Sequence, residues 1–510
     1  MGSQGWSGVS TDPLTTRVRE HPIVRDIPRL VVWVMAATWA GVFSWYAVAR
    51  HEAWWTARFD LGNMIQAIWN TGQGDFLLAT NQAGDQVSRL ASHVDPLLVV
   101  FVPLQWITTS PVPILVAQAV IVAAGALPAF WLARLWLRDD RLAVAGAAMY
   151  LLYVPLQWAV LTDLHAVTLA APLIMYAIWA AETRHNWVLG ITVGLALVSK
   201  EQVGLSIALL GLWMVIRHRR RIAGAVVAVV ALAWTAIAVF VIIPGAGNGL
   251  PAPFEQRYGQ FGSTPAKAVI GAITHPVDLV TTLGTGGRIA YLVILLLPLL
   301  FLPLAAPWLA LCALPDIFMN MLAAWWPNYS VEFHYAAVPS PYLIAAALLG
   351  LANLRDRRRP AWLTDWTRAS AGMAVVLVTA GVIATVVKGP LPWFSGLSAA
   401  SPHRLAQYEP APVASALDRA AALIPDGAIV SAGNNPGGHL SSRTRILVFP
   451  AIGDAEWVIV DRTRPDLYDR LNPKGFQMAL DDVATRPDFE LVWNTGGVVV
   501  FKRIGTQGGR

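Results

Sequence analysis

The chain has 510 residues, 56% of them hydrophobic and only 13% charged, with a mean hydropathy of +0.52. Soluble domains carry about 25% charged residues, so this composition excludes a water-soluble globular protein and specifies an integral membrane protein. The net charge of +6 is no nucleic-acid signal. Its arginines gather as Arg217-His218-Arg219-Arg220-Arg221 and Arg355-Asp356-Arg357-Arg358-Arg359, each beside an apolar segment, where such clusters mark the cytoplasmic side.

Residues 1–28 are polar, and Arg17, Arg19, Arg25 and the following Arg29 place the N-terminus in the cytoplasm of a plasma-membrane protein. The apolar run after them is long, so the first span, 29–49, is expected to stay as an anchor rather than be cleaved as a signal peptide. A first outer loop follows over 50–111, poor in basic residues. It opens on Phe59-Asp60-Leu61-Gly62. Leu61, Met64, Ile65, Ile68 and Trp69 then recur at helical spacing, which predicts a helix lying in the interface with that face in lipid or against the spans. Asp60 suits the N-cap of this helix, and a capping aspartate can still act as a general base. Ser92-His93-Val94-Asp95-Pro96 pairs an imidazole with a carboxylate, a combination suited to a divalent ion such as Mg or Mn. The apolar stretch 96–107 is short and proline-broken, and reads as re-entrant or interfacial.

Further spans are expected at 112–136, 142–160 and 166–181, with Asp163 and His165 at an outer turn. Two short apolar halves, 187–198 and 203–216, flank Ser199-Lys200-Glu201-Gln202. Ionisable groups sunk in a membrane are functional candidates, and an ammonium suits a phosphate. A span at 222–243 leads to a second outer loop, 244–287, holding Glu255, Arg257 and Tyr258. Spans at 288–304, 306–323, 336–353 and 370–387 complete an all-α polytopic domain over 29–390, of about eleven helices in total. Trp325-Trp326 and Glu332-Phe333-His334-Tyr335 lie at an outer exit, a normal place for an aromatic belt. Residues 400–510 change character: short strand-like runs bounded by Gly, Pro, Asn or Asp predict a small soluble α/β domain, extracytoplasmic if the span count is odd.

On this topology nearly all the unusual polar residues fall at one face of the membrane. Several of their motifs resemble, in order, those of the DUF2079 family of polytopic membrane proteins. They are Phe59-Asp60-Leu61-Gly62 with Gln66 and Trp69-Asn70, Ser92-His93-Val94-Asp95-Pro96, Asp163-Leu164-His165, Lys200-Glu201, Phe333-His334-Tyr335, and His439-Leu440-Ser441-Ser442-Arg443 running to Phe449-Pro450. That family resembles GT-C glycosyltransferases. The resemblance implies a polyprenyl-phosphate-linked sugar as donor, a glycan, lipid or protein acceptor outside the cell, and Asp60 as catalytic base. Lys200, Glu201, Arg257, Asp163, His165, His334 and Gln66 would contact substrate or phosphate. The loop carries no Asp-x-Asp, and His93 with Asp95 would hold the divalent cation; no nucleotide or organic cofactor is expected. Two other readings stand beside it, a transporter or flippase for a lipid-linked sugar and a non-catalytic envelope-assembly scaffold.

Overall fold

The computed structural model describes residues 22–247, 257–357, 366–391, 393, 407, 412–465, 469–470 and 472–504. Glu255 and most of the N-terminal segment lie outside them. The first helix, Pro22–Glu52, enters a helical bundle whose other long apolar members are Val112–Leu137, Ala166–Thr183, Arg221–Gly247 and Ala369–Lys388. Asp140–Leu151 and Val154–Leu161 form one bent pair, and Pro276–Leu283 with Gly286–Leu299 a second, bent by 42° and 59°. Among the described residues, five helices are long and apolar enough to cross a membrane, or seven with each bent pair taken as one span.

The count of about eleven therefore does not emerge on length and composition. Proline is the cause at several places, because it removes a helical hydrogen bond and clashes with the preceding turn. Pro155 sits just after the 151–154 break, and Pro298, Pro303 and Pro307 divide 286–322 into short helices and 3-10 turns. Asn186–Leu197 and Val203–His218 are separate helices, as expected, and Pro339–Arg357 runs through the buried centre. The segment 96–107 folds as a 3-10 turn and a short helix of 12 residues in all. At about 1.5 Å per residue it is too short to cross roughly 30 Å of hydrocarbon.

Buried polar side chains tie the bundle together. Trp39 Nε1 donates to the Leu151 carbonyl at 2.7 Å, Tyr150 to that of Val122 at 3.0 Å, and Tyr153 to that of Leu295 at 2.8 Å. Each bond crosses between helices and satisfies a group that hydrocarbon would leave unpaired. Small residues allow close crossings: a Cβ on Gly211 would stand 2.6 Å from the Gly224 carbonyl oxygen.

At one end of the bundle the first loop forms the helix Asn63–Gln73 and a hairpin of β1 (Leu78–Thr80) and β2 (Gln86–Ser88). Leu61, Met64, Ile65 and Ile68 join the buried core of the bundle and Trp69 is half-buried, so this apolar face meets protein rather than lipid. The C-terminal residues form a mixed sheet of β3 (Val430–Ala432), β4 (Ile446–Val448), β5 (Trp457–Asp461), β6 (Phe489–Thr495) and β7 (Val498–Arg503). Its order is β4-β3-β5-β7-β6, with β3 parallel to β4 and β5, and β7 antiparallel to β5 and β6.

This sheet is seated on the first loop. Trp54 belongs to its apolar core, and the rings of His51 and Trp54 stack on His439 at 3.9 and 3.7 Å between centroids. The fully buried Arg58 guanidinium donates to the carbonyls of Thr80 and Ile446. The fit is tight: a Cβ on Gly62 would stand 2.4 Å from Ser441 Oγ.

Candidate active site

A cavity of about 840 Å³ opens where the first loop, the 162–167 turn, the Ser199-Lys200 junction, the 325–335 segment and the C-terminal sheet meet. Asp60, His93, Asp95, His165, Lys200, Arg257 and His334 all line it. They come from segments far apart in sequence, so the convergence is a property of the fold.

Asp60 lies within a π-helical turn, Arg58–Gly62, immediately before Asn63–Gln73. It sits inside the turn rather than at an N-cap, the cap positions being Ala57 and Gly62, which differs from the capping role its position suggested. Asp163 supplies that bonding instead: its Oδ2 accepts from the amides of Ala57 at 3.1 Å and Leu61 at 3.3 Å. The other oxygen, Oδ1, pairs with the Arg50 guanidinium. Asp163 is itself buried, absent from the cavity wall, and held with φ +52°. It therefore shapes the turn that presents Asp60, whose side chain is 48% exposed.

His165 Nε2 stands 3.5 Å from Asp60 Oδ1. Its Nδ1 lies 2.8 Å from the Thr162 carbonyl oxygen, which can only accept, so Nδ1 carries a hydrogen. The His334 ring stacks on His165 with centroids 3.5 Å apart, and His334 Nδ1 is buried without a hydrogen-bond partner among the described residues. Burial, with the nearby charge of His165, Lys200 and Arg257, drives His334 well below the usual imidazole range, so it is neutral.

Lys200 is buried, and among the described residues none hydrogen-bonds or ion-pairs with its ammonium. Its Nζ and the Arg257 guanidinium each lie 5.9 Å from the centroid of the Tyr335 ring, a paired cation–π arrangement. Burial lowers Lys200 to about 8, against a partial offset from Glu201. A buried cation without a direct counter-ion, beside a second cation in a cavity wall, has the chemistry to attract an anion.

The expected metal pair is otherwise engaged. Arg89 grips Asp95 through both oxygens, at 3.0 Å from Nε to each and 2.6 Å from Nη2 to Oδ2. His93 Nδ1 faces Glu201 Oε1 at 3.0 Å, and the other oxygen of Glu201 accepts from the Val94 amide. Burial and the Lys200 charge lower His93 to about 4; burial raises the Glu201 carboxyl, but His93 and Lys200 outweigh it and hold the group below the usual range. Among the described residues, no three His, Cys, Asp or Glu side chains are grouped to hold a metal. A guanidinium clamped on Asp95 is the wrong neighbour for a divalent cation, so this donor set does not fit one.

Gln66 is not at the cavity either. Its amide donates to Thr80 Oγ1 and the Thr444 carbonyl and accepts from Arg58 and the Thr80 amide, which makes it a bolt between hairpin and sheet. Glu332 is drawn off to Lys388 at 2.5 Å. The cavity adds residues whose part the sequence did not disclose: Arg58, Arg89, Asn434 and Val448. Asn434 Oδ1 accepts from the Phe59 amide at 3.0 Å, so the sheet helps fix the turn beside Asp60.

The family model that describes a "Predicted membrane protein (DUF2079)" matches residues 50–500. The chain belongs to the DUF2079 family. The matched stretch begins at Arg50, the partner of Asp163, and ends within β7, so the whole candidate site of this DUF2079 chain lies inside it. Among solved structures, the chain is similar to ArnT from Cupriavidus metallidurans bound to undecaprenyl phosphate. Identity is 14% and the TM-score 0.49, with 94% of this chain and 99% of that one covered. No curated protein matches the chain.

Proposed function

We propose that the chain is a membrane glycosyltransferase that moves a sugar from a polyprenyl-phosphate donor to an acceptor hydroxyl at the outer face of the membrane. The observation that carries this reading is the pairing, in one cavity, of an accessible carboxylate with a buried cationic receptor: Asp60 beside His165, and Lys200 with Arg257 around Tyr335. The cavity lies at the end of an apolar bundle, where a lipid-borne phosphate would be presented with its tail in the bilayer.

In this reading Asp60 takes the proton of the acceptor hydroxyl as its oxygen attacks the anomeric carbon. The bond from that carbon to the phosphate oxygen breaks, and its electron pair leaves with the phosphate. Lys200 and Arg257 neutralise the charge that develops there. A single displacement inverts the anomeric centre. His93 and Asp95 are committed to Glu201 and Arg89, so no step is routed through a metal.

The test is transfer of radiolabel from polyprenyl-phosphate sugars to glycan acceptors by the purified full chain in liposomes. Asp60→Asn should lower transfer about 100-fold or more with thermal stability unchanged. Undiminished transfer by that variant sinks the base assignment. Label that crosses the vesicle without covalent transfer would support the transporter or flippase instead, and neither outcome would leave the scaffold.

A further inference from the structure

Arg58 opens the turn that carries Asp60 and lines the same cavity. The residue is 2% exposed, and its hydrogen bonds all leave from Nη2: to Gln66 Oε1 at 2.9 Å, the Thr80 carbonyl at 3.0 Å and the Ile446 carbonyl at 3.2 Å. These acceptors are neutral, and Nη2 has only two hydrogens to share among them. Nε is buried without a partner, and among the described residues no hydrogen bond leaves Nη1 and no carboxylate pairs with the group. The two carboxylates of the cavity wall are turned elsewhere: Asp60 faces His165, and Asp95 is closed on Arg89. Burial and the charge of Arg89 lower Arg58 to about 9; Lys200 and Arg257 do not act on it. A buried charge without a counter-ion is unfavourable, and an anion brought by a ligand relieves the penalty.

The guanidinium is held in place before any ligand arrives. Its stem lies between two glycines: a Cβ on Gly62 would stand 3.0 Å from Arg58 Cδ, and one on Gly437 would stand 2.7 Å from Arg58 Cβ. Two half-buried amides line the wall with it, Asn63 at the start of the next helix and Asn434 from the sheet. Asn434 Oδ1 accepts from the Phe59 amide, whereas its Nδ2 and the Asn63 side chain make no hydrogen bond among the described residues. The hairpin tip after Thr80, with exposed Gln82 and Ala83, rims this part of the cavity and opens it to water rather than to lipid.

We propose that Arg58, Asn63 and Asn434 form the acceptor subsite, and that the acceptor is an acidic saccharide whose oxyanion docks on Arg58 while one of its hydroxyls reaches Asp60. This rests on the glycosyltransferase reading. A planar guanidinium matches a carboxylate or a phosphate ester, and side-chain amides suit sugar hydroxyls because they both donate and accept. The phosphate of the donor stays with Lys200 and Arg257 around Tyr335, so the two anions of the reaction occupy separate cationic centres. Arg58 binds and orients the acceptor and takes no proton from it.

The test is calorimetric binding, without turnover, to the full chain in nanodiscs saturated with a short polyprenyl phosphate. The titrants are a methyl glucuronide, a glucose phosphate and the neutral methyl glucoside. At least one of the two acids should bind about tenfold or more tighter than the glucoside, the worth of one charge-assisted hydrogen bond, and the tighter one tells a carboxylate acceptor from a phosphorylated one. Arg58→Gln should abolish the preference. Because Arg58 also ties the hairpin to the sheet, Asn63→Asp is the second variant: its site is half-buried at a helix start, where an acid is tolerated, and the bonds of Arg58 stay intact. The new carboxylate should weaken the acids about tenfold and leave the glucoside unchanged. Equal binding of acids and glucoside by the native chain, or a preference that survives in folded Arg58→Gln or in Asn63→Asp, overturns the subsite. Acid binding seen only without the polyprenyl phosphate assigns the anion to Lys200 and Arg257 and overturns it as well. Transfer to neutral glycans with no acid preference leaves the glycosyltransferase and refutes the subsite; an acid preference lost in both variants, with transfer never detected, refutes the glycosyltransferase and leaves an acidic-saccharide site.

Discussion

Asp163→Asn isolates the element that holds Asp60 in place. The native carboxylate is 1% exposed and pairs with Arg50, whose side chain is 8% exposed. The remaining partners of that guanidinium are neutral, Gln407 Oε1 and the Trp55 carbonyl, each at 2.9 Å. Removing one member of a buried ion pair costs about 3–5 kcal/mol, because the other charge is left uncompensated. Asparagine keeps one acceptor oxygen for the amides of Ala57 and Leu61, so the lower end, about 3 kcal/mol, is expected. Unfolding followed by tryptophan fluorescence in mild detergent reads the loss. The double variant Arg50→Gln/Asp163→Asn should be milder than the sum of its parts, with a coupling energy above about 1 kcal/mol. A single variant within about 0.5 kcal/mol of native, or a strictly additive cycle, refutes the claim that this pair organises the turn.

The anion-binding role proposed for Lys200 predicts a pH signature of two opposite signs. Its ammonium loses charge near 8, against an ordinary value of 10.5, so calorimetric binding of a short polyprenyl phosphate should weaken about tenfold per unit above pH 8. Over the same window the unfolded chain holds more protons than the folded one, so folding stability should gain from this group as pH rises; binding and stability falling together would refute the assignment. Gly62→Ala should cost about 1–3 kcal/mol through the clash with Ser441 Oγ and expose the sheet to protease, and Ser441→Gly added to it should restore resistance.

The residues that make the cavity were largely legible in the sequence, because polar groups are conspicuous in an apolar chain. Asp60, His165, Lys200, Arg257 and His334 stand out for that reason, and all line the wall. Their bonding was not legible. Asp163 and His165 are two residues apart, yet one is buried under Arg50 while the other faces the cavity, since Asp163 itself takes a left-handed backbone conformation that turns the chain. Asp95 looked like a ligand until Arg89, six residues before it, is seen closed on both its oxygens. Gln66 sits on the motif-bearing helix, but its amide reaches the loop before β4, 378 residues later. Pairings over such separations leave no local pattern. The strand-like runs after residue 400 were readable from their β-rich, turn-bounded pattern, whereas their seat on the first loop was not.

The sheet's position has a consequence for the order in which the protein becomes competent. Phe59 and Asn434, which meet beside Asp60, are 375 positions apart. A nascent chain emerges N-terminus first. The bundle and the first loop are thus synthesised long before Asn434 and Val448 exist to close the cavity wall. During that interval the turn that carries Asp60 lacks its bonds to Asn434 and Ile446. A chain that stops before the last fifth therefore lacks part of the cavity wall and the groups that hold the Arg58–Gly62 turn.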